Sequence, residues 1–312
     1  MEARPAAAGK PEVRYAPCVE NPFGIEHPLL LVAAVTPMTD GGGALDERAI
    51  WPYAAFLAEH GADGVFACGT TGEGILLDLE ERMRAAVLFR AAVRGILIMH
   101  CGAQSTPQTT ALAAHAAEIG ADAVAVIPPP YFPLDEPDLA AHLASAAAAC
   151  APLPFFIYVF SARSGYPVSR EVIERVRETA PNLAGLKVSE KPWAAVEPYL
   201  DLGLPVLVGQ EPFIPTALAA GAIGSVSGLA AAWPDVVRSA LDAPGDAAAD
   251  RLQAVRSAME AQPFIAAAKH VLARRGVPVG PDLRAPMRRL TAEEVERLDA
   301  ALASLGTLPG SS

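Results

Sequence analysis

Short apolar runs rich in Val and Ile recur along the chain at 29–38, 64–69, 96–102, 123–129, 154–160, 183–189, 205–210 and 222–228. Each has the length of a strand, and continuous apolar character is what a strand covered on both faces requires. Between them lie amphipathic segments of helical length, such as LDLEERMRAAVLFRAAVR at 77–94, in which Asp78 and Glu81 have the spacing of an N-cap and capping-box pair. Eight strand-like runs alternating with eight helical segments, at about 25 residues per unit, predict parallel pairing throughout. The closed (β/α)₈ TIM barrel fits this count best. An open doubly wound sheet is the alternative, but no G-x-G-x-x-G follows the first run and no G-K-[ST] is present, so its nucleotide-binding form loses support. Residues 1–28, rich in Pro and Ala, read as an arm, 29–240 as the barrel, and 241–312 as a helical extension with about three helices across 246–303.

Composition narrows the setting. The 312 residues are 52% hydrophobic and 19% charged, enough to bury a large core. A net charge of −11 repels phosphate backbones and anionic lipid, which argues against nucleic acid or a membrane surface as partner. Two long stretches without charged side chains, 139–162 and 212–234, are broken by Pro152 and Pro154 and by Pro215, Gly221, Gly224 and Gly228, and neither reads as a membrane span. The opening MEARPAAAGK lacks the apolar core of a signal peptide. Cys18, Cys68, Cys101 and Cys150 have no metal-ligand spacing and read as buried thiols of a reducing, cytoplasmic compartment, with no metal expected.

Three stretches carry candidate chemistry at the C-terminal ends of predicted strands, where barrels collect it. In LAGLKVSE the two-residue period puts Leu183, Gly185, Lys187 and Ser189 on one face, so Lys187 points into the barrel. An ammonium there either pairs with a carboxylate or loses its proton and becomes a nucleophile. The turn CGTTGEG at 68–74 offers backbone N–H groups and the Thr70 and Thr71 hydroxyls to a small anion, with Glu73 expected to tie down the loop backbone without touching ligand. In PFFIYVFSARSG, Tyr158 stands one strand before Lys187, placed to exchange protons with an amine, and Arg163 follows in the loop, able to hold a carboxylate. His100 reads either as an additional acid or base or as a buried, hydrogen-bonded histidine.

With AVTPM, CGTTGEG, PPPYF, IYVFSARSG, GLKVSE, GAIGSVSG and GVPVGPDLRAPMRRL in one chain, the sequence from about 29 to 303 resembles the family of dihydrodipicolinate synthase and N-acetylneuraminate lyase, pyruvate-dependent class I lyases on a (β/α)₈ barrel. The resemblance implies that Lys187 forms a Schiff base with pyruvate or a related 2-oxo acid, and that no cofactor is needed. It implies that Thr70 and Thr71 hold the carboxylate, that Tyr158 relays protons with Thr71, that Tyr131 serves a neighbouring subunit's site, and that the Gly224 carbonyl borders the 2-oxo acid. A homotetramer built as a dimer of dimers is implied as well.

The departures bear on substrate. The family's Tyr-Asn-x-Pro is Tyr158-Val159-Phe160-Ser161 here, Val188 replaces the Glu that follows the lysine in synthases, and His100 replaces a glycine, while Arg163 matches the synthase arginine and favours a second carboxylated substrate. Three functions stand: an aldolase or synthase joining a 2-oxo acid to an aldehyde or running the cleavage, a dehydratase or deaminase using the same imine, and a non-catalytic 2-oxo acid binder. Joint retention of Lys187, Tyr158, Thr70, Thr71 and Tyr131 argues against the last.

Overall fold

A computed structural model describes residues 20–307. The eight apolar runs are the strands β1 (Leu29–Ala33), β2 (Gly64–Ala67), β3 (Ile96–His100), β4 (Ala123–Val126), β5 (Phe155–Val159), β6 (Leu183–Val188), β7 (Val206–Val208) and β8 (Gly224–Ser227). They pair in parallel in the closed order β1-β8-β7-β6-β5-β4-β3-β2, with β2 returning to β1. Closure removes both edges, so every ladder has a neighbour and the (β/α)₈ expectation is met.

The crossovers are α1 (Glu47–Glu59), α2 (Leu79–Ala92), α3 (Thr106–Glu118), α4 (Glu136–Cys150), α5 (Arg170–Thr179), α6 (Ile214–Ala219) and α7 (Pro234–Asp242). The predicted capping box of α2 is formed: Glu81 N–H donates to the Asp78 carboxylate at 2.8 Å and Asp78 N–H to that of Glu81 at 3.0 Å. One of the eight expected helices is missing. Between β6 and β7 the chain makes only a three-residue turn at Trp193–Ala195 and a single turn at Glu197–Leu200, because Pro192, Pro198 and Gly203 leave no uninterrupted stretch for more.

Strand alternation separates two cores. Leu30, Val32, Leu186 and Val188 pack outward against the helices, while Leu29, Leu31, Phe66, Phe156, Leu207 and Val226 fill the barrel. Leu183 departs from the predicted alternation: the β5–β6 register slips between Phe155 and Phe156, so Leu183 packs with the outer core and Ala184 with the inner one. From Gly185 onward the expected period holds. Phe23 stacks on Phe156 at 6.0 Å and, with Ile25, fills the N-terminal mouth of the barrel. The rest of the expected arm, residues 1–19 with Cys18, lies outside the described residues. Cys68, Cys101 and Cys150 are buried free thiols. Among the described residues no helix is long and apolar enough to cross a membrane.

Three further helices follow, α8 (Asp246–Glu260), α9 (Phe264–Arg274) and α10 (Ala292–Ser304). They are fastened to the loop after β2 by a buried ion pair. Lys269 Nζ donates to Glu73 Oε1 and to the Asp282 carbonyl, both at 2.6 Å, and Glu73 Oε2 accepts the Arg284 N–H at 2.7 Å. The Glu73 carboxylate therefore holds not the backbone of its own loop, as expected, but the C-terminal extension, which it binds to the 68–74 turn. Both side chains are fully buried, so removing one strands the other's charge. Lys269→Met is expected to lower unfolding free energy by about 3–5 kcal/mol in chemical denaturation, and adding Glu73→Gln should recover a large part of the loss. An unchanged denaturation midpoint in the single variant would remove the pair from this role.

Candidate active site

A cavity of about 250 Å³ opens at the C-terminal ends of the strands and collects the predicted chemistry. Thr70, Thr71, Tyr158, Arg163 and Lys187 all line it. The turn bearing the threonines is held in an uncommon backbone path, with Cys68 and Glu73 both at φ +57°. Gly74 is required by this path, since a Cβ there would fall 1.8 Å from the Cys68 carbonyl oxygen. Thr36 Oγ1 donates to the Gly72 carbonyl at 2.6 Å and pins the turn to the end of β1.

Lys187 is register-paired with Tyr158 on the adjacent strand and is only 4% exposed. Its Nζ lies 3.9 Å from the centroids of both the Phe66 and the Tyr158 rings. Among the described residues no carboxylate lies within ion-pair distance of it, which decides between the two readings of a buried lysine. Burial pushes its pKa down to about 7, and the more distant Glu211 carboxylate opposes the shift. The amine is therefore partly neutral at neutral pH, held against two aromatic faces that soften the cost of its cationic form. The Tyr158 hydroxyl faces those of Thr70 and Ser189, and burial raises its pKa, so it keeps its proton at neutral pH.

His100 is the buried, hydrogen-bonded histidine of the two alternatives. Its Nδ1 lies 3.1 Å from the Cys68 carbonyl, an acceptor, so that nitrogen carries the proton. Burial, then the charges of Arg82 and Lys187, push its pKa well down and keep the ring neutral. It packs edge-on to Tyr158 at 5.9 Å, behind the cavity wall.

Two expected residues stand elsewhere. Gly224 does not border the cavity. It is the first residue of β8, level with Leu29, at the strand's N-terminal end, while Val226 and Gly228 form the wall further along. Its φ of +151° and the 2.3 Å that would separate an added Cβ from the Leu29 carbonyl oxygen make it a packing glycine. Tyr131, at φ +88° and 83% exposed, stands apart from the cavity of its own chain and packs edge-on against Phe132 at 4.8 Å.

Several groups in or behind the cavity wall escaped the sequence reading. Glu211, fully buried after β7, accepts from Ser227 Oγ at 2.8 Å, Leu229 N–H at 2.9 Å and Arg256 at 2.9 Å. These donors, Arg256 foremost, hold its pKa low against the opposing effect of burial. Gln210 donates to the Ser189 carbonyl at 2.8 Å. Glu190 accepts from the Ser161 N–H and hydroxyl at 2.6 and 2.7 Å, fastening the segment that bears Arg163. Arg256, Glu260, Pro263, Phe264, Ile265 and Met287 bring the C-terminal extension into the cavity wall. Glu211 beside a strand end was the one legible signal, whereas an arginine on a charged helix such as α8 has none.

The model of the dihydrodipicolinate synthetase family matches residues 28–305. An uncharacterized DapA-like lyase of Halobacterium salinarum is 34% identical over 94% of this chain and 98% of its own. The N-acetylneuraminate lyase of Mus musculus is 30% identical over 91% of this chain and 94% of its own. The solved N-acetylneuraminate lyase of Proteus mirabilis superposes with a TM-score of 0.80 at 29% identity, covering 90% of this chain and 99% of that one.

Site-resolved NMR of the Lys187 side chain should give a titration midpoint near 7. Glu211→Gln removes the carboxylate that raises this pKa and is expected to move the midpoint lower still. A midpoint near the ordinary lysine value would refute the desolvated amine.

Proposed function

From the premise that the chain belongs to the dihydrodipicolinate synthetase family and is a lyase of that kind, we propose that it works through an imine on Lys187, joining pyruvate or a related 2-oxo acid to an aldehyde or cleaving such an adduct. The observation that carries this reading is the dry, unpaired Lys187 amine beside a protonated Tyr158, with two threonine hydroxyls at the same end of the cavity.

The Thr70 and Thr71 hydroxyls hold the 2-oxo acid carboxylate, which sets its keto carbon before Lys187. The neutral Nζ attacks that carbon, forming C–N while the carbonyl electron pair moves to oxygen. One proton passes from the nitrogen to this oxygen through Tyr158, giving a carbinolamine, and Tyr158 then gives up its own proton so that the hydroxyl leaves as water and the protonated imine remains. The positive nitrogen draws electrons from the neighbouring carbon, which loses a proton to the Tyr158 phenolate and becomes an enamine. The enamine carbon then attacks an aldehyde carbon, the aldehyde oxygen takes the proton back from Tyr158, and water adds to the imine carbon, giving a proton to the phenolate, before the carbinolamine breaks down to return the amine. Cleavage is the same sequence reversed. Arg163, exposed at the mouth and without an acidic partner among the described residues, is placed for a carboxylate on the second substrate. Nothing in this sequence calls for a metal or an organic cofactor.

The exposed Tyr131–Phe132 pair supports an assembly in which Tyr131 reaches a neighbouring copy's site, with a dimer of dimers as the full form. The buried free thiols of Cys68, Cys101 and Cys150 support a cytoplasmic setting.

Incubation with pyruvate and borohydride should leave a reduced adduct on the Lys187 peptide, absent in Lys187→Ala. Its rate should climb with pH through about 7, because protonation below that value removes the lone pair. Tyr158→Phe should slow adduct formation by about 10²- to 10⁴-fold. An adduct retained in Lys187→Ala would move the chemistry elsewhere. Tyr131→Phe is expected to lower turnover, and an active monomer by light scattering would end its role across an interface.

A further inference from the structure

Resting on the lyase reading above, we infer that the second substrate is an aldehyde with a flat, apolar body, an aromatic aldehyde in preference to a polyhydroxylated one. The cavity has two unlike ends. Around Lys187 its walls are the hydroxyls of Thr70, Thr71, Tyr158 and Ser189, with the Phe160 ring 6.0 Å from that of Tyr158, and the C-terminal extension supplies Pro263, Phe264, Ile265 and Met287. Gly228 joins the two ends: a Cβ there would stand 3.3 Å from Thr71 Oγ1 and 3.5 Å from Phe264 Cε1. The apolar wall thus begins within one side chain of the groups that receive the 2-oxo acid.

A polyol needs a partner for each of its hydroxyls, and among the described lining side chains few acceptors are at hand besides the hydroxyls around Lys187: Gln210, which turns its amide N–H to the Ser189 carbonyl, and Glu260. Glu260 is the one carboxylate lining the cavity among the described residues, and its Oε1 accepts from Arg256 at 2.6 Å. Behind the wall, Glu211 receives three protein donors and Glu190 two. Hydroxyls driven against Phe264, Ile265 and Met287 would lose water and gain no partner.

The two arginines strengthen the same preference. The Arg256 guanidinium lies 4.3 Å over the Phe264 ring and that of Arg163 5.7 Å over Phe160. Each presents a flat, weakly hydrated face suited to stacking on a ring. Arg256 has its terminal nitrogens committed to Glu211 and Glu260 and one face laid on Phe264, so what it can offer a substrate is its opposite face and not its charge.

The test offers the wild-type protein pyruvate with 2-carboxybenzaldehyde or with glucuronate, an aromatic and a polyhydroxylated aldehyde that each carry a carboxylate for Arg163, and follows carbon–carbon bond formation by mass spectrometry, beside the borohydride trap with pyruvate alone. The expected result is a kcat/KM at least about tenfold higher for 2-carboxybenzaldehyde, the scale of discrimination that an apolar pocket supplies. Phe264→Ser should shrink that ratio by about fivefold. Preference for glucuronate, turnover of neither aldehyde with the trap intact, or a ratio unmoved in Phe264→Ser would overturn the inference and leave the imine standing. Loss of the trap itself would instead overturn the lyase reading.

Discussion

Keeping one amine dry is the constraint around which the rest of the site is arranged. Lys187 lies inside a closed barrel, between the faces of Phe66 and Tyr158, with its nearest influential carboxylate already bound by other donors. Had Glu211 been free to pair with it, the ammonium would have been held charged and inert as a nucleophile. Two donors and a guanidinium from a distant helix keep that acid occupied. The apolar layers below, from Leu29 to Val226, supply the low dielectric that makes desolvation effective.

A division of labour follows. Strand ends and the 68–74 turn hold the groups suited to 2-oxo acid chemistry, and the C-terminal extension supplies the opposite wall through Arg256, Phe264 and Met287. Arg256 belongs to both halves, because it engages Glu211 on the strand side and covers Phe264 on its own side.

How much of this was legible before the fold was known depends on the range of the interaction. The eight strands were readable because burial on both faces leaves an unbroken apolar run, and Lys187 stood out by interrupting one. The period of two placed it correctly, yet misplaced Leu183, since a register slip is a property of two strands together and leaves no mark in either alone. The missing sixth helix was foreshadowed by Pro192 and Pro198. Gly224 was assigned by motif, whereas its depth along β8 follows from pairing with Leu29, which no motif encodes. Arg256 and Phe264 were out of reach for the same reason: their meaning comes from a neighbour far away in the chain.

Glu73 and Lys269, joined at 2.6 Å, are 196 residues apart. During synthesis the turn carrying Thr70 and Thr71 emerges early and its partner late. All eight strands precede Lys269 in the chain, so the substrate-holding turn lacks the contact that locks it until the extension has been made. Acquisition of a working site is therefore timed by the synthesis of Lys269, and a product terminated before it would leave the Glu73 carboxylate without its buried partner.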